Sequence, residues 1–572
     1  MSLTVPRAGA PGRGLLRWAA LGAGSTAGLV LLVLIVYPSI TLVANAFLLN
    51  GRPTLATVLR TVQDPGTFAT LYNSLVVSAL SAVLGTALGT ALAWLLGRTD
   101  LPGRRYWETV VLLPYMIPPF IGAIAWVYLL SPVGYLNQIW MALSGSPDPL
   151  LVIYGPVGIV FVLTLYGYPI VYAAMRGVLE RMNPALEEAA RISGARTVHV
   201  LREITLPLML PGILAGGLLL FMSSLANFGI PAVLGFPARY FVLPTKIYAT
   251  ILNFDMPNNL QVAAALSMYL VVTAGILLWL QRLILRRGRF AVVTGQSTSV
   301  QRVTLGRWKW ALVGALGLFG FVSVILPMGA TLLTAVIRAY GLPPAAENLT
   351  LQHFATVLTG IPKVQRAFFN SLGLSAGAAT IIVALSVALA YLIARVRVRG
   401  GNVLELLISI PYAVPGTVVA LAMILAWLRP VPVLQLRLYN TIWIILLAYV
   451  ARFLVFGVRT VMAGMTQVHD SLEEAARISG STGGQAFRDV VLPIIRPSIA
   501  AGWFLVFMPA MVELTLSILL FSAGNETIGV VVFGLHEEGK IALSAAVALM
   551  VTTVLVTLHL VTRIATVREV VR

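Results

Sequence analysis

One acidic side chain interrupts the apolar run WFLVFMPAMVELTLSILLF, at Glu513. A carboxylate in such a run is costly, so it marks a polar pathway or a buried hydrogen-bond partner. A second acidic feature is duplicated: LEEAARISG stands at 186–194 and again at 472–480. Other chemistry is sparse. The five histidines (His199, His353, His469, His536 and His559) form no H-E-x-x-H pattern. No G-x-x-x-x-G-K-[ST] phosphate loop occurs, and the absence of cysteine excludes disulfides, thiolate metal sites and a thiol nucleophile. His536-Glu537-Glu538 reads as a solvated loop rather than an outer metal site. With no acid–base constellation, no cofactor and no firmly assigned metal ligands, the chain is expected not to be an enzyme.

The elements that position these residues are apolar. The 572 residues are 59% hydrophobic and 10% charged, where a soluble domain carries about 25% charge. Runs long enough to cross a bilayer recur along the whole chain, so the expected fold is an all-α polytopic membrane protein. The net charge of +19 comes from arginines in short loops. That fits orientation in the membrane and contact with anionic lipid, not nucleic acid. The N-terminal apolar stretch is too long for a cleaved signal and reads as a first span.

The chain repeats itself. Asn73-Ser74-Leu75 recurs as Asn370-Ser371-Leu372, and Pro114-Tyr115 with Pro118 recurs as Pro411-Tyr412 with Pro415, an offset of 297. The duplicated acidic motif has an offset of 286, so a deletion of 11 residues lies between, where the loop 131–153 shortens to 429–439. About twelve spans in two tandem six-helix halves follow. Their expected cores are 17–48, 69–97, 107–131, 154–178, 208–235 and 259–285, then 309–338, 368–396, 403–428, 439–462, 496–521 and 541–563. The halves are 1–285 and 309–572, joined by a basic connector, 286–308. Arginine-rich loops at 98–105, 181–202, 286–289 and 395–399 mark the cytoplasmic side, with both termini and both motifs inside.

Each motif reads as a short helix. Asn183 and Asp470 are expected caps, Pro184 suits the first helical turn, and Glu473 suits a capping box. Gly194 and Gly480 should end or bend the helix. Pro207 and Pro493 are expected to break the chain before the next span, leaving a second short helix on the surface, while Pro118 and Pro415 are expected to kink the third spans. Small residues at Ala189, Ala190, Ala475 and Ala476 allow another surface to approach. Two copies in pseudo-symmetric places call for a two-subunit partner.

The motif resembles the EAA motif of ABC importer permeases: E-A-A, three residues, G, nine residues, I, one residue, L-P. The first copy matches at Glu188, Ala189, Ala190, Gly194, Ile204, Leu206 and Pro207. The second matches at Glu474, Ala475, Ala476, Gly480, Leu492 and Pro493, with Val490 in place of the isoleucine. The resemblance implies coupling helices, with Glu187 and Glu473 also in the docking segments. It implies two separate ATP-binding subunits that carry ATP and Mg, and a periplasmic or lipid-tethered substrate-binding protein. The location it implies is the bacterial inner membrane. Across its length the chain resembles the fused ferric-iron permeases, through RFAVVTGQ, LANFGIPAVLG and ELTLSILLFSAGNETIGVVVFGLHEEGK. Permeases for thiamine, polyamines, phosphonates and sugar phosphates share much of that pattern. An ion-coupled secondary transporter would not need the paired cytoplasmic helices.

The position equivalent to Glu513 is Asn227, by the offset of 286. With Tyr115 and Tyr412 these residues could offer oxygen ligands to a hard cation along a pathway. The alternative for Glu513, a structural bond to backbone at a helix break, stays open.

Overall fold

A computed structural model describes residues 26, 28–49, 51–183, 185–287, 302–343, 345–396, 398, 401–430 and 435–571. Most of the connector, including RFAVVTGQ, lies outside the described residues, as do Pro184, Arg397, Arg399 and the start of the first expected span. With no water to satisfy backbone polar groups in a bilayer, a chain this apolar must close its hydrogen bonds within helices. Eleven described helices are long and apolar enough to cross a membrane, and a bent pair brings the number to 12.

The helices are α1 (Gly28–Ala46), α2 (Ala56–Gln63), α3 (Pro65–Arg98), α4 (Arg104–Met116), α5 (Pro119–Leu130), α6 (Tyr135–Ser144) and α7 (Pro156–Arg181). They continue with α8 (Ala185–Ile192), α9 (Thr197–Leu225), α10 (Gly229–Gly235), α11 (Leu243–Ile251), α12 (Asn259–Arg287) and α13 (Trp308–Val336). Then come α14 (Pro362–Val396), α15 (Gly401–Ala413), α16 (Gly416–Trp427), α17 (Ile442–Gln467) and α18 (Asp470–Ile478). The last are α19 (Gly483–Met511), α20 (Ser517–Leu520), α21 (Ile528–Glu537) and α22 (Ile541–Val571). One two-stranded antiparallel hairpin, Leu48–Leu49 with Arg52–Pro53, follows α1.

Two compact units divide the chain, one of residues 1–45 and 366–529, the other of 46–365 and 530–572. In the second of these, α3 packs on α7 and α9. Gly89 permits the close approach of α3 to α7: a Cβ there would stand 2.8 Å from the Tyr168 carbonyl oxygen and 2.9 Å from Val171 Cβ. Tyr168 ties α7 to α4 by donating to the Val111 carbonyl at 2.5 Å, and α13 packs on α5 and α22. In the other unit, α17 packs on α19 and α1 lies against α15 and α17. Tyr37 of α1 donates to the Ala426 carbonyl at 3.2 Å and meets the Trp427 ring edge-on. The close helix contact is built again with the sizes exchanged. Gly457 of α17, equivalent to Val171, faces Ser386 of α14, equivalent to Gly89, and a Cβ on Gly457 would lie 2.6 Å from the serine hydroxyl.

The third spans differ from expectation. The stretch 107–131 is not one kinked helix. Ile117 and Pro118 are extended, because a residue before proline is driven out of the helical region, so α4 and α5 are separate helices. The equivalent pair in the second half bends by 104° before Gly416. The fifth spans also shift. They begin at 197 and 483 and stop at 225 and 511, rather than covering 208–235 and 496–521. Pro207 and Pro493 do not break them. A π-helical turn, Leu201–Thr205 or Phe487–Val491, ends two residues before each proline. The wider turn accommodates the ring and the missing N–H, so the helix runs on. The expected second surface helix is therefore the first turn of the span itself.

Candidate functional site

The two motif helices, α8 and α18, are built alike. At the first, Asn183 Oδ1 accepts from the Ala185 N–H at 3.0 Å, as expected of a cap. At the second, Asp470 is not the cap. His469 Nδ1 accepts from Ser471 N at 3.2 Å, and Asp470 is the first helical residue, paired with Arg395. Both helices end on a left-handed glycine, with φ of +86° at Gly194 and +94° at Gly480. Gly194 N bonds to the Arg191 carbonyl and Ala195 N to that of Ala190; Gly480 N and Ser481 N do the same with Arg477 and Ala476. This paired closure satisfies the last carbonyls and turns the chain back sharply.

The two adjacent glutamates of each motif separate by role. Glu187 and Glu473 are buried, whereas Glu188 is half-buried and Glu474 is exposed. Glu187 Oε2 lies 3.8 Å from Arg98 Nε and 3.8 Å from Arg191, and its Oε1 accepts from Thr205 at 2.7 Å. Glu473 lies 4.0 Å from Arg395 and accepts from Arg477 and Tyr391, so it does not close a capping box. The two arginines are equivalent, 395 being 98 plus the offset of 297. Each also donates to carbonyls at the end of the preceding span: Arg98 to Leu179 at 3.2 Å, Arg395 to Val468 at 2.6 Å. The arginine thus fixes the angle at which each motif helix leaves its span.

Anchoring one face presents the other. Ile192 is 88% exposed and Ile478 is 87% exposed, each immediately before the turn, with Leu186 and Leu472 also exposed. Ala189 and Ala475 are exposed beside them, while Ala190 and Ala476 are half-buried. An isoleucine in that position in both copies was the available signal, and the motif reading did not single it out. The arginine anchors were equally readable from their shared offset.

The residues proposed for a pathway sit at helix breaks. Glu513 follows the end of α19. Its carboxylate accepts from Leu516 N with both oxygens, at 3.0 and 2.9 Å, and from Ser517 N at 3.1 Å. Asn227 does the equivalent task after α9, its Oδ1 accepting from Ile230 N at 3.0 Å. Tyr412 is 45% exposed and its ring meets Phe456; Tyr115 is 62% exposed. Arg452, in the middle of α17, is a site residue that composition alone did not reveal. Its Nη1 donates to the Val414 carbonyl at 3.2 Å at the α15–α16 break, and its charge acts on both Glu513 and Tyr412. α7 and α17 each span 26 residues at the offset of 286, which makes Tyr166 the counterpart of Arg452. The charged residues Arg452 and Glu513, which act on each other without a direct ion-pair contact, thus replace the neutral Tyr166 and Asn227. The repeated Asn-Ser pair supports the same regions: Ser74 accepts from Leu243 N at 2.7 Å and Ser371 from Ile528 N at 2.8 Å. His536 and Glu537 close α21 rather than forming a loop. Among the described residues, no three His, Asp or Glu side chains group closely enough to hold a metal ion.

A chain of apolar spans in two repeats, each presenting an anchored helix with an exposed tip, defines a transport permease. The family described as the binding-protein-dependent transport system inner membrane component matches residues 85–290 and 381–568. The chain belongs to that family and is a multi-pass permease of the ABC importer class. It is similar to the ferric transport system permease protein of Actinobacillus pleuropneumoniae, 25% identical over 533 residues, 91% of this chain and 75% of that one. It is 26% identical over 484 residues to the Fe(3+)-transport system permease protein of Haemophilus influenzae, 84% of this chain and 86% of that one. The molybdenum transport system permease protein of Escherichia coli is 34% identical over 37% of this chain and 91% of its own. A solved bacterial alginate ABC transporter, in complex with an alginate pentasaccharide-bound periplasmic protein, aligns at 21% identity and a TM-score of 0.40. That alignment covers 50% of this chain and 99% of that chain.

Proposed function

We propose that this chain is the membrane subunit of an importer for ferric iron, driven by two copies of a separate ATP-binding subunit docked on α8 and α18. The observation that carries the docking reading is the pair of exposed isoleucine tips, Ile192 and Ile478, each held by a buried arginine–glutamate anchor and ended by a left-handed glycine. An exposed apolar side chain on a rigid support is what a partner's cleft takes up. ATP and Mg belong to that partner, and a periplasmic or lipid-tethered binding protein delivers the solute. Conformational change in the ATPase dimer pulls on α8 and α18, and through Arg98 and Arg395 on the ends of α3 and α14, giving alternating access. The chain lies in the bacterial inner membrane with both motifs and both termini in the cytoplasm, as the arginine-rich loops favour.

Iron is favoured by relatives that match most of the chain and carry ferric transport in their names. A second reading, an oxyanion importer, is favoured by the higher identity to the molybdenum permease over a shorter stretch. Reconstitution in liposomes with the ATPase and candidate binding proteins separates them. Stimulation of ATP hydrolysis by the ferric-loaded binding protein supports iron. Stimulation only by a molybdate-loaded one refutes it.

A further inference from the structure

Beside the α8 anchor, a cavity of about 450 Å³ opens between the ends of α3, α4 and α7 and the residue Arg302. Arg98, Arg104, Arg176 and Arg302 line it, against Glu108 and Glu180, an excess of two positive charges. Glu108 accepts from Arg104 at 3.0 Å and lies 3.3 Å from Arg176, which also meets Glu180 at 2.8 Å. Two further cations face the cavity: Arg302, and Arg98, whose carboxylate partner is Glu187 at 3.8 Å outside the cavity wall. Arg302 has no ion-pair partner among the described residues. Arg98 is 2% exposed, has Arg104 and Arg191 as like-charged neighbours, and its Nε makes no hydrogen bond. Tyr172 adds a hydroxyl to the wall.

The fold does not require this charge. At the equivalent positions of the second half, Arg104, Tyr172, Arg176 and Glu180 are replaced by Gly401, Val458, Met462 and Thr466. That half builds the same anchor between Arg395 and Glu473 without them. The backbone also holds Arg302 in place. Val303 N donates to the Arg98 carbonyl at 2.9 Å, and Leu305 N donates to Asp100 Oδ1 at 2.8 Å.

We propose that this cavity binds a phosphate-bearing anion, and that the anion competes with Glu187 for Arg98, so its occupancy reaches the docking helix α8. Arginine forks suit phosphate oxygens. The site lies where the spans end, within reach of an anionic lipid headgroup or of free phosphate. The link to α8 matters for transport only through the docking reading above; the binding itself does not depend on it.

The test uses the full-length permease alone, without ATPase, so its failure is distinct from failure of docking. Binding is titrated by thermal stability and by native mass spectrometry. One arm adds cardiolipin against phosphatidylcholine; the other adds inorganic phosphate against chloride at equal ionic strength. The expected result is binding in one arm, and that arm identifies the source. Binding should weaken about tenfold in Arg302→Gln, the loss of one charge-assisted contact, and further in Arg104→Gln/Arg302→Gln. It should be unchanged in Arg488→Gln, an exposed arginine far along the chain. Glu187→Gln, which releases Arg98, should tighten it. No binding in either arm, or equal binding in the wild type and Arg302→Gln, overturns the site. Unchanged affinity in Glu187→Gln overturns the competition.

Discussion

Glu513→Gln, Arg452→Met and the double variant form a cycle whose outcome follows from the geometry of the α19–α20 break. Glutamine keeps one acceptor oxygen but turns the other into a donor, where Leu516 N and Ser517 N now share three bonds with the carboxylate. Oε2 accepts from both N–H groups, so a glutamine oxygen in its place keeps both, and the cost is that of setting the NH2 against the Leu516 N–H, about 1 kcal/mol. The same change removes the negative charge that acts on the Arg452 guanidinium; the two groups make no direct ion pair, so this loss is about 1 kcal/mol. Arg452 is only partly buried, which keeps that electrostatic cost small. We expect Glu513→Gln to lose about 2 kcal/mol in all. Arg452→Met should lose a similar amount, because it removes the charge acting on the carboxylate and the bond to the Val414 carbonyl. The double variant should lose less than the sum of the two, a coupling of about 1 kcal/mol. The assay is reversible unfolding of the purified chain in mixed micelles, alongside uptake into proteoliposomes. Losses that add to within about 0.5 kcal/mol refute the coupling. A stable Glu513→Gln variant that fails in uptake would instead assign the carboxylate to the solute.

Gly480→Arg should fold and insert yet fail to bind the ATPase, since a bulky residue at φ +94° distorts the turn; a normal complex with full transport contradicts the docking reading. Ile192→Asp and Ile478→Asp should each abolish ATPase stimulation while leaving the melting temperature of the permease unchanged, because neither side chain is packed within the chain. An intact complex should weigh as one permease with two ATPase subunits, and two permease chains per ATPase dimer would rule that out. Asp100 has its carboxyl held below the usual carboxylate range by the Leu305 N–H and by Lys309. Its stabilising contribution is present above the unfolded value of about pH 4 and is lost as pH falls through the lower folded value. Asp100→Asn should therefore lose less stability on acidification than the wild type, read from melting temperatures across that window.

The sequence by itself determined the class of fold, the two repeats and the place of the motif helices, because each is written in local pattern. Apolar length dictates spans, a common offset dictates repeats, and glycine after a short amphipathic run dictates the turn at Gly194 and Gly480. It misjudged proline. Pro118 breaks its span where a kink was expected, and Pro207 and Pro493 are absorbed by π turns where breaks were expected. Whether a proline's strain is relieved by unwinding or by widening depends on neighbouring helices, which no local pattern encodes. The tertiary structure alone decided which of two adjacent glutamates anchors and which faces outward. That choice rests on Arg98 and Arg395, far away in the chain, reaching Glu187 and Glu473. It also brought Arg452 to Glu513 across 61 residues, and no periodicity joins positions on separate spans. The same physics explains why Gly89 and Gly457 lie on opposite partners of equivalent helix pairs. Close approach needs one small residue at the crossing, and only the packed structure fixes where the crossing falls.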